Sequence, residues 1–155
     1  MIGNVSDSER EARVDKWLSD VSDASRRWKT AKTAQQSAER VVAHLEEIRG
    51  RMRGASPELD ARMAEAIGAN EDTARALAEE ALRLSGLESG FYEALQAVKP
   101  PEVAEAWRMR CIEGKTWLQC SLALHYNRQH LERLSKRAKV EIYGLIPERY
   151  KDDGR

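Results

Sequence analysis

The chain has 155 residues, with 26 Lys+Arg balanced by 26 Asp+Glu and 41% hydrophobic residues, enough for one or two small domains with a modest core. No apolar run approaches the ~20 residues of a membrane span, and the opening MIGNVSDSEREAR lacks the apolar centre of a signal peptide, so the expected setting is cytoplasmic, without a membrane partner. The zero balance hides an asymmetry: residues 1–98 hold 14 basic and 18 acidic side chains, whereas residues 99–155 hold 12 and 8. A basic half tied to an acidic half fits a nucleic-acid module on a non-binding segment.

Ser6 and Glu9 have the S-x-x-E spacing of a capping box and open a long helix. From there Val14, Trp17, Val21, Ala24, Trp28, Ala31, Gln35, Ala38, Val42, Leu45 and Met52 recur at alternating steps of three and four. Such a seam, held over about five heptads, predicts coiled-coil packing. Gly50 and Gly54 weaken the helix, and Ser56-Pro57 starts another with an N-cap and a first-position proline. The second helix carries Leu59, Met63, Ala66, Asn70, Ala74, Leu77, Ala81 and Leu84 on a comparable seam. Gly86 and Gly90 are expected to kink or interrupt it, Phe91, Leu95 and Val98 continue the stripe, and Pro100-Pro101 ends it.

Two long helices joined by a few residues predict an antiparallel hairpin. A two-helix hairpin encloses no core by itself, and Leu18, Val41, Ile67 and Leu82 remain off the seams and need another surface. The expectation is a homodimer through the N-terminal helices, resembling a four-helix bundle. Gln35 and Asn70 either set register by pairing or sit at a solvated edge.

Next come Val103, Trp107, Met109 and Ile112, the apolar residues of a third helix that Gly114 can close in a left-handed conformation. Thr116 and Gln119 form a second capping box, and Cys120, Ser121 and Leu124 supply a narrow buried stripe. His125-Tyr126 makes the turn, with Tyr126 as a core plug, and Asn127 caps the next helix. There Leu131, Leu134, Ala138 and Ile142 must face inward, which leaves Arg128, Gln129, Glu132, Arg133, Lys136 and Arg137 outside. Two short helices around a tight turn, the second one basic, have the layout of a helix-turn-helix. The fold class is therefore all-α, with a coiled-coil-like antiparallel hairpin over 1–98 and a helix-turn-helix domain over 99–155.

The stretch RCIEGKTWLQCSLALHYNRQHLERLSKRA resembles region four of bacterial sigma factors. Arg110, Glu113, Gly114, Thr116, Trp117, Leu124, Tyr126, Leu134, Arg137 and Ala138 occupy matching positions. The nearest likeness is to small phage and prophage transcriptional regulators that carry this module behind a helical N-terminal segment. His125 stands where the family has glycine, and Leu118 and Leu122 stand where it carries solvated acids. The resemblance implies double-stranded DNA as partner, with Arg128, Gln129 and Arg133 meeting base edges. Arginine can pair with guanine and glutamine with adenine in the major groove. Lys115, Thr116, His130, Lys136 and Arg137 are placed for phosphates, which fix register without reading sequence. Trp107, Leu118 and Leu122 form a candidate protein-contact patch, toward RNA polymerase or a second subunit; packing against the hairpin is the competing assignment.

Cys111, Cys120, His125 and His130 match no zinc-finger spacing, so no metal is expected and Cys120 reads as a core thiol. His44, His125 and His130 pair with no candidate nucleophile, and no phosphate-binding glycine loop occurs. Neither catalytic residues nor a cofactor are expected. Two rival roles remain open at this point: a small-terminase-like DNA-packaging subunit, and a helical scaffold that binds no DNA.

Overall fold

Helix starts and stops follow the local chemistry of the chain. In the computed structural model, which describes residues 5–52, 54 and 56–151, five α-helices carry the fold: α1 (Asp7–Arg51), α2 (Pro57–Leu95), α3 (Pro101–Cys111), α4 (Trp117–Leu124) and α5 (Arg128–Ile142). Two 3-10 turns follow, Tyr143–Leu145 and Glu148–Tyr150, and no strand occurs among the described residues. Ser6 Oγ accepts from the Glu9 amide at 3.1 Å, and Ser56 Oγ accepts from the amides of Glu58 and Leu59 at 3.2 and 3.4 Å. Each satisfies donors that a helix start leaves orphaned. Gly54 takes a positive φ of 88° between the long helices. The Lys99–Pro100 bond is cis.

The expected interruption does not occur: α2 is one continuous helix through Gly86 and Gly90. Each glycine costs a helix about 1 kcal/mol relative to alanine, a penalty that anchoring on either side absorbs: Leu84, Phe91 and Ala94 are all buried.

The compact units do not coincide with a division at residue 98. One unit joins Met1–Arg26 to Gly86–Arg155; the other is Arg27–Ser85. In the first, Val14, Trp17 and Val21 of α1 and Phe91, Ala94 and Val98 of α2 share one core with Val103, Trp107, Cys120, Leu131, Ala138 and Ile142. Trp17 meets Phe91 edge-on at 5.9 Å between ring centroids. The two ends of the predicted seam, Val14, Trp17 and Val21 on α1 and Phe91, Leu95 and Val98 on α2, therefore pack with the C-terminal helices. Leu18, expected to need an outside partner, lies against this core.

The second unit is thinner. Ala31, Ala38, Ile67, Ala81 and Leu84 are buried, while Trp28, Gln35, Val42, Leu45, Asn70 and Leu77 are half-buried. Ile67 thus belongs to the buried set rather than to a free surface, whereas Val41 and Leu82 are exposed. Met52, at the end of the predicted seam, is also exposed. Arg27 pairs with Glu80 at 2.7 Å and Arg49 with Asp60 at 2.8 Å, so these segments of α1 and α2 run antiparallel.

In the first unit the C-terminal turns clasp α1. Tyr150 donates to Asp20 Oδ2 at 2.7 Å, and Arg13 donates to Tyr143 Oη at 3.1 Å and to the Lys151 carbonyl. Burial alone would raise the Asp20 carboxyl, but hydrogen bonds from Tyr150 and Lys16 and the charges of Lys16 and Arg149 outweigh it and leave its pKa lowered. Burial, and then the bond to Asp20, push Tyr150 up to about 12. The lowered carboxyl contributes stability that is present above its ordinary value of 3.8 and lost as pH falls through the folded one. The raised phenol contributes stability that is present below 10.0 and lost as pH climbs toward about 12. Tyr150→Phe should therefore cost about 1.5–3 kcal/mol at neutral pH, the range for a hydrogen bond to a charged acceptor, and flatten the alkaline limb. Urea unfolding at a series of pH values checks both effects. An unchanged alkaline limb would mean that the clasp contributes nothing.

Candidate nucleic-acid interface

The segment from Thr116 to Ile142 is built by three local devices. Gln119 N donates to Thr116 Oγ1 at 3.1 Å while Thr116 N donates to Gln119 Oε1 at 2.8 Å, a complete capping box for α4. α4 ends at His125, whose φ of 57° and ψ of 39° lie in the left-handed region that favours glycine; Gly114 closes α3 with a φ of 71°. The Tyr126 amide then donates to the Ser121 carbonyl at 3.0 Å, and the half-buried Tyr126 ring lies parallel to His130 at 6.0 Å. Asn127 accepts from the His130 amide at 3.1 Å and starts α5. α3, α4 and α5 pack against one another.

α5 buries Leu131, Ser135, Ala138 and Ile142, with Leu134 half-buried. Ser135 was not among the predicted core residues. Its hydroxyl accepts the Trp107 indole N–H at 2.8 Å, which makes a polar position tolerable in the core. The same contact removes Trp107 from the candidate protein-contact patch: it is 2% exposed and belongs to the core. Leu118 and Leu122 do remain on the surface, 55% and 68% exposed and one turn apart on α4.

Each predicted base-reading residue, Arg128, Gln129 and Arg133, is exposed. At 100° per residue, Gln129, Arg133 and Lys136 share the face opposite the buried stripe, with Arg137 beside them. Arg128 lies on the flank, 3.6 Å from Glu132, and Arg137 lies 3.4 Å from Glu141. Exposed pairs of this kind are worth only about 0–1 kcal/mol and yield readily to a phosphate. Arg133 and Lys136 have no ion-pair partner among the described residues. Lys139 does not join the cationic face. Its side chain is only 14% exposed and pairs with Asp15 at 2.6 Å.

Of the remaining predicted phosphate contacts, Thr116 and His130 are exposed and Lys115 is half-buried. Arg110, which sequence reasoning assigned no role, holds that loop. Its guanidinium lies 4.6 Å from the Trp117 ring centroid and donates to the Lys115 carbonyl at 3.4 Å. An arginine seven residues before a tryptophan carries no periodic signal that could have revealed the stacking. Arg108 is likewise structural, bound by Glu105 at 3.0 Å and by Glu113 at 2.6 Å.

Cys111 and Cys120 are buried and donate to the carbonyls of Leu18 and Ala106 at 3.6 and 3.7 Å, whereas His125 and His130 are exposed. Burial pushes the Cys111 thiol up to about 11 and raises Cys120 in the same direction. Both thiols act as small core residues. Among the described residues no helix is long and apolar enough to cross a membrane. Compared with known proteins, the chain matches no family model, no curated protein and no solved structure.

Proposed function

We propose that the protein is a sequence-specific DNA-binding transcriptional regulator of phage or prophage origin, working in the cytoplasm without catalytic chemistry. α4 and α5 would form a helix-turn-helix like that of sigma region four, with α5 in the major groove. The observation that carries this reading is the division of α5: one face fully packed, the other cationic, on a helix capped at Asn127. Its first turn has no acidic residue and contains Arg128 and His130. Positive charge at the positive end of a helix dipole is unfavourable by some tenths of a kcal/mol until an anion arrives. Phosphate is such an anion.

On this reading Arg128, Gln129 and Arg133 address base edges, and Lys115, Thr116, His130, Lys136 and Arg137 address the backbone. The antiparallel segments of α1 and α2 within Arg27–Ser85 serve as a hairpin for homodimer formation, with exposed Val41 and Leu82 available to a second copy. Leu118 and Leu122 offer the contact to RNA polymerase or a second subunit. A dimer matters because the cationic excess of one module is small, and two linked readers gain from effective concentration.

Binding to duplex DNA measured against salt tests the proposal. A module touching about five phosphates should give a log–log slope near −4 to −5, and a flat response would leave a scaffold that binds no DNA. Sedimentation should show a dimer at tens of micromolar; a closed ring would move the role from transcription to DNA packaging, and a strict monomer would remove the assembly role of the hairpin. Protection footprinting on adjacent intergenic DNA would then locate the operator.

A further inference from the structure

Away from the outer face of α5, the first unit contains a cleft of about 350 Å³ between α1 and the helices α3 to α5. That volume lies at the lower end of the range of small-molecule sites, about 300–1,000 Å³. Its lining is graded. Trp107 and Ser135 form a buried floor, Leu18, Trp117 and Arg110 form half-buried walls, and exposed Asp15 and Asp23 stand at the mouth. A flat apolar face awaiting a protein has no such grading. An aromatic floor with a few polar groups converging above it is the usual construction of a site for a small amphipathic molecule.

The charges in the cleft select the sign of the ligand. Both lining carboxylates are neutralised in place, Asp15 by Lys139 at 2.6 Å and Asp23 by Arg26. Arg110 is the third lining cation, and it has no carboxylate partner among the described residues. Its position over the Trp117 ring does not satisfy its charge, so its guanidinium is held ready for an oxyanion that can accept two of its N–H bonds. At the floor the Ser135 hydroxyl, 1% exposed, accepts from Trp107, and its own proton has no acceptor among the described residues. An unused buried donor is costly unless an acceptor supplied from outside meets it.

We infer that this cleft is a binding site for a small aromatic organic anion, a carboxylate or sulfonate, held by Arg110 with its ring against Trp107 and Trp117 and within reach of Ser135. Nothing in the chemistry of the cleft depends on whether α5 binds DNA.

The test uses two dyes that share a ring system, 8-anilinonaphthalene-1-sulfonate and its uncharged counterpart N-phenyl-1-naphthylamine, titrated into the full chain and followed by fluorescence. The sulfonate should bind saturably and more tightly than the neutral dye. Arg110→Gln should weaken the sulfonate about tenfold or more, the scale of one charge-assisted hydrogen bond, and leave the neutral dye unchanged. Ser22→Trp, a half-buried position on the lining, should block both dyes without touching the core, so the site stays testable if the Arg110 variant misfolds. Equal binding of the two dyes, or sulfonate binding that survives both variants, would overturn the assignment. So would loss of the dye signal in Leu118→Ser/Leu122→Ser with the cleft intact.

Discussion

Truncating Trp107 to alanine should destabilise the protein by about 3–5 kcal/mol, the usual range for a buried aromatic removed from a core. Two losses add. The 2%-exposed indole leaves a cavity among Val103, Leu131 and the other residues of the shared core, and Ser135 loses the donor it meets at 2.8 Å. Trp107→Phe retains a benzene ring in the core but removes the five-membered ring with its N–H, so it leaves a smaller cavity beside the unsatisfied Ser135 hydroxyl and should cost less than alanine, about 1–3 kcal/mol. Because small domains are stable by only about 5–15 kcal/mol, the alanine variant should show a large fall in the urea midpoint. A loss below about 1 kcal/mol would mean that α3 and α5 are not held together through this contact.

The second large effect concerns DNA. On the proposed DNA-binding reading, Arg133→Ala should cost about 1–3 kcal/mol on the cognate site and far less on unrelated duplex, because an arginine assigned to base edges would contribute to discrimination. Lys136→Ala should weaken all sequences alike and reduce the salt slope by about one. These two residues make the cleanest pair. Both face away from the core of α5 and neither has an ion-pair partner among the described residues, whereas Arg128 must release Glu132 and Arg137 must release Glu141. Affinities measured on cognate and unrelated duplexes over a salt series separate the roles. Equal losses on both duplexes for Arg133→Ala would move it from the base-reading set to the phosphate set.

Most of what was legible in the chain concerns its own immediate neighbourhood. The caps at Ser6, Ser56, Thr116 and Asn127, the left-handed Gly114 and the inward stripe of α5 all appear where residue type and spacing put them. Each depends on contacts within about four positions along the chain, which is the range over which side chain and backbone chemistry acts without a fold. The outward position of Arg128, Gln129, Arg133, Lys136 and Arg137 follows for the same reason.

What the chain alone left undecided lies at long separation. Periodicity shows that Val14, Trp17 and Val21 bury one face of a helix, but it cannot name the partner, and that partner includes residues more than one hundred positions away. Spacing leaves Lys139 off both the inward stripe and the outward set of α5, and only the fold names its partner, Asp15, at 2.6 Å. Periodicity puts Trp107 on the apolar side of its helix but leaves open whether that side meets the core or a partner, and the bond to Ser135 decides for the core. Local pattern determined which helices exist and which way each one faces; only tertiary packing decided which faces meet, because burial energy rewards any apolar surface and the choice among them belongs to the assembled core.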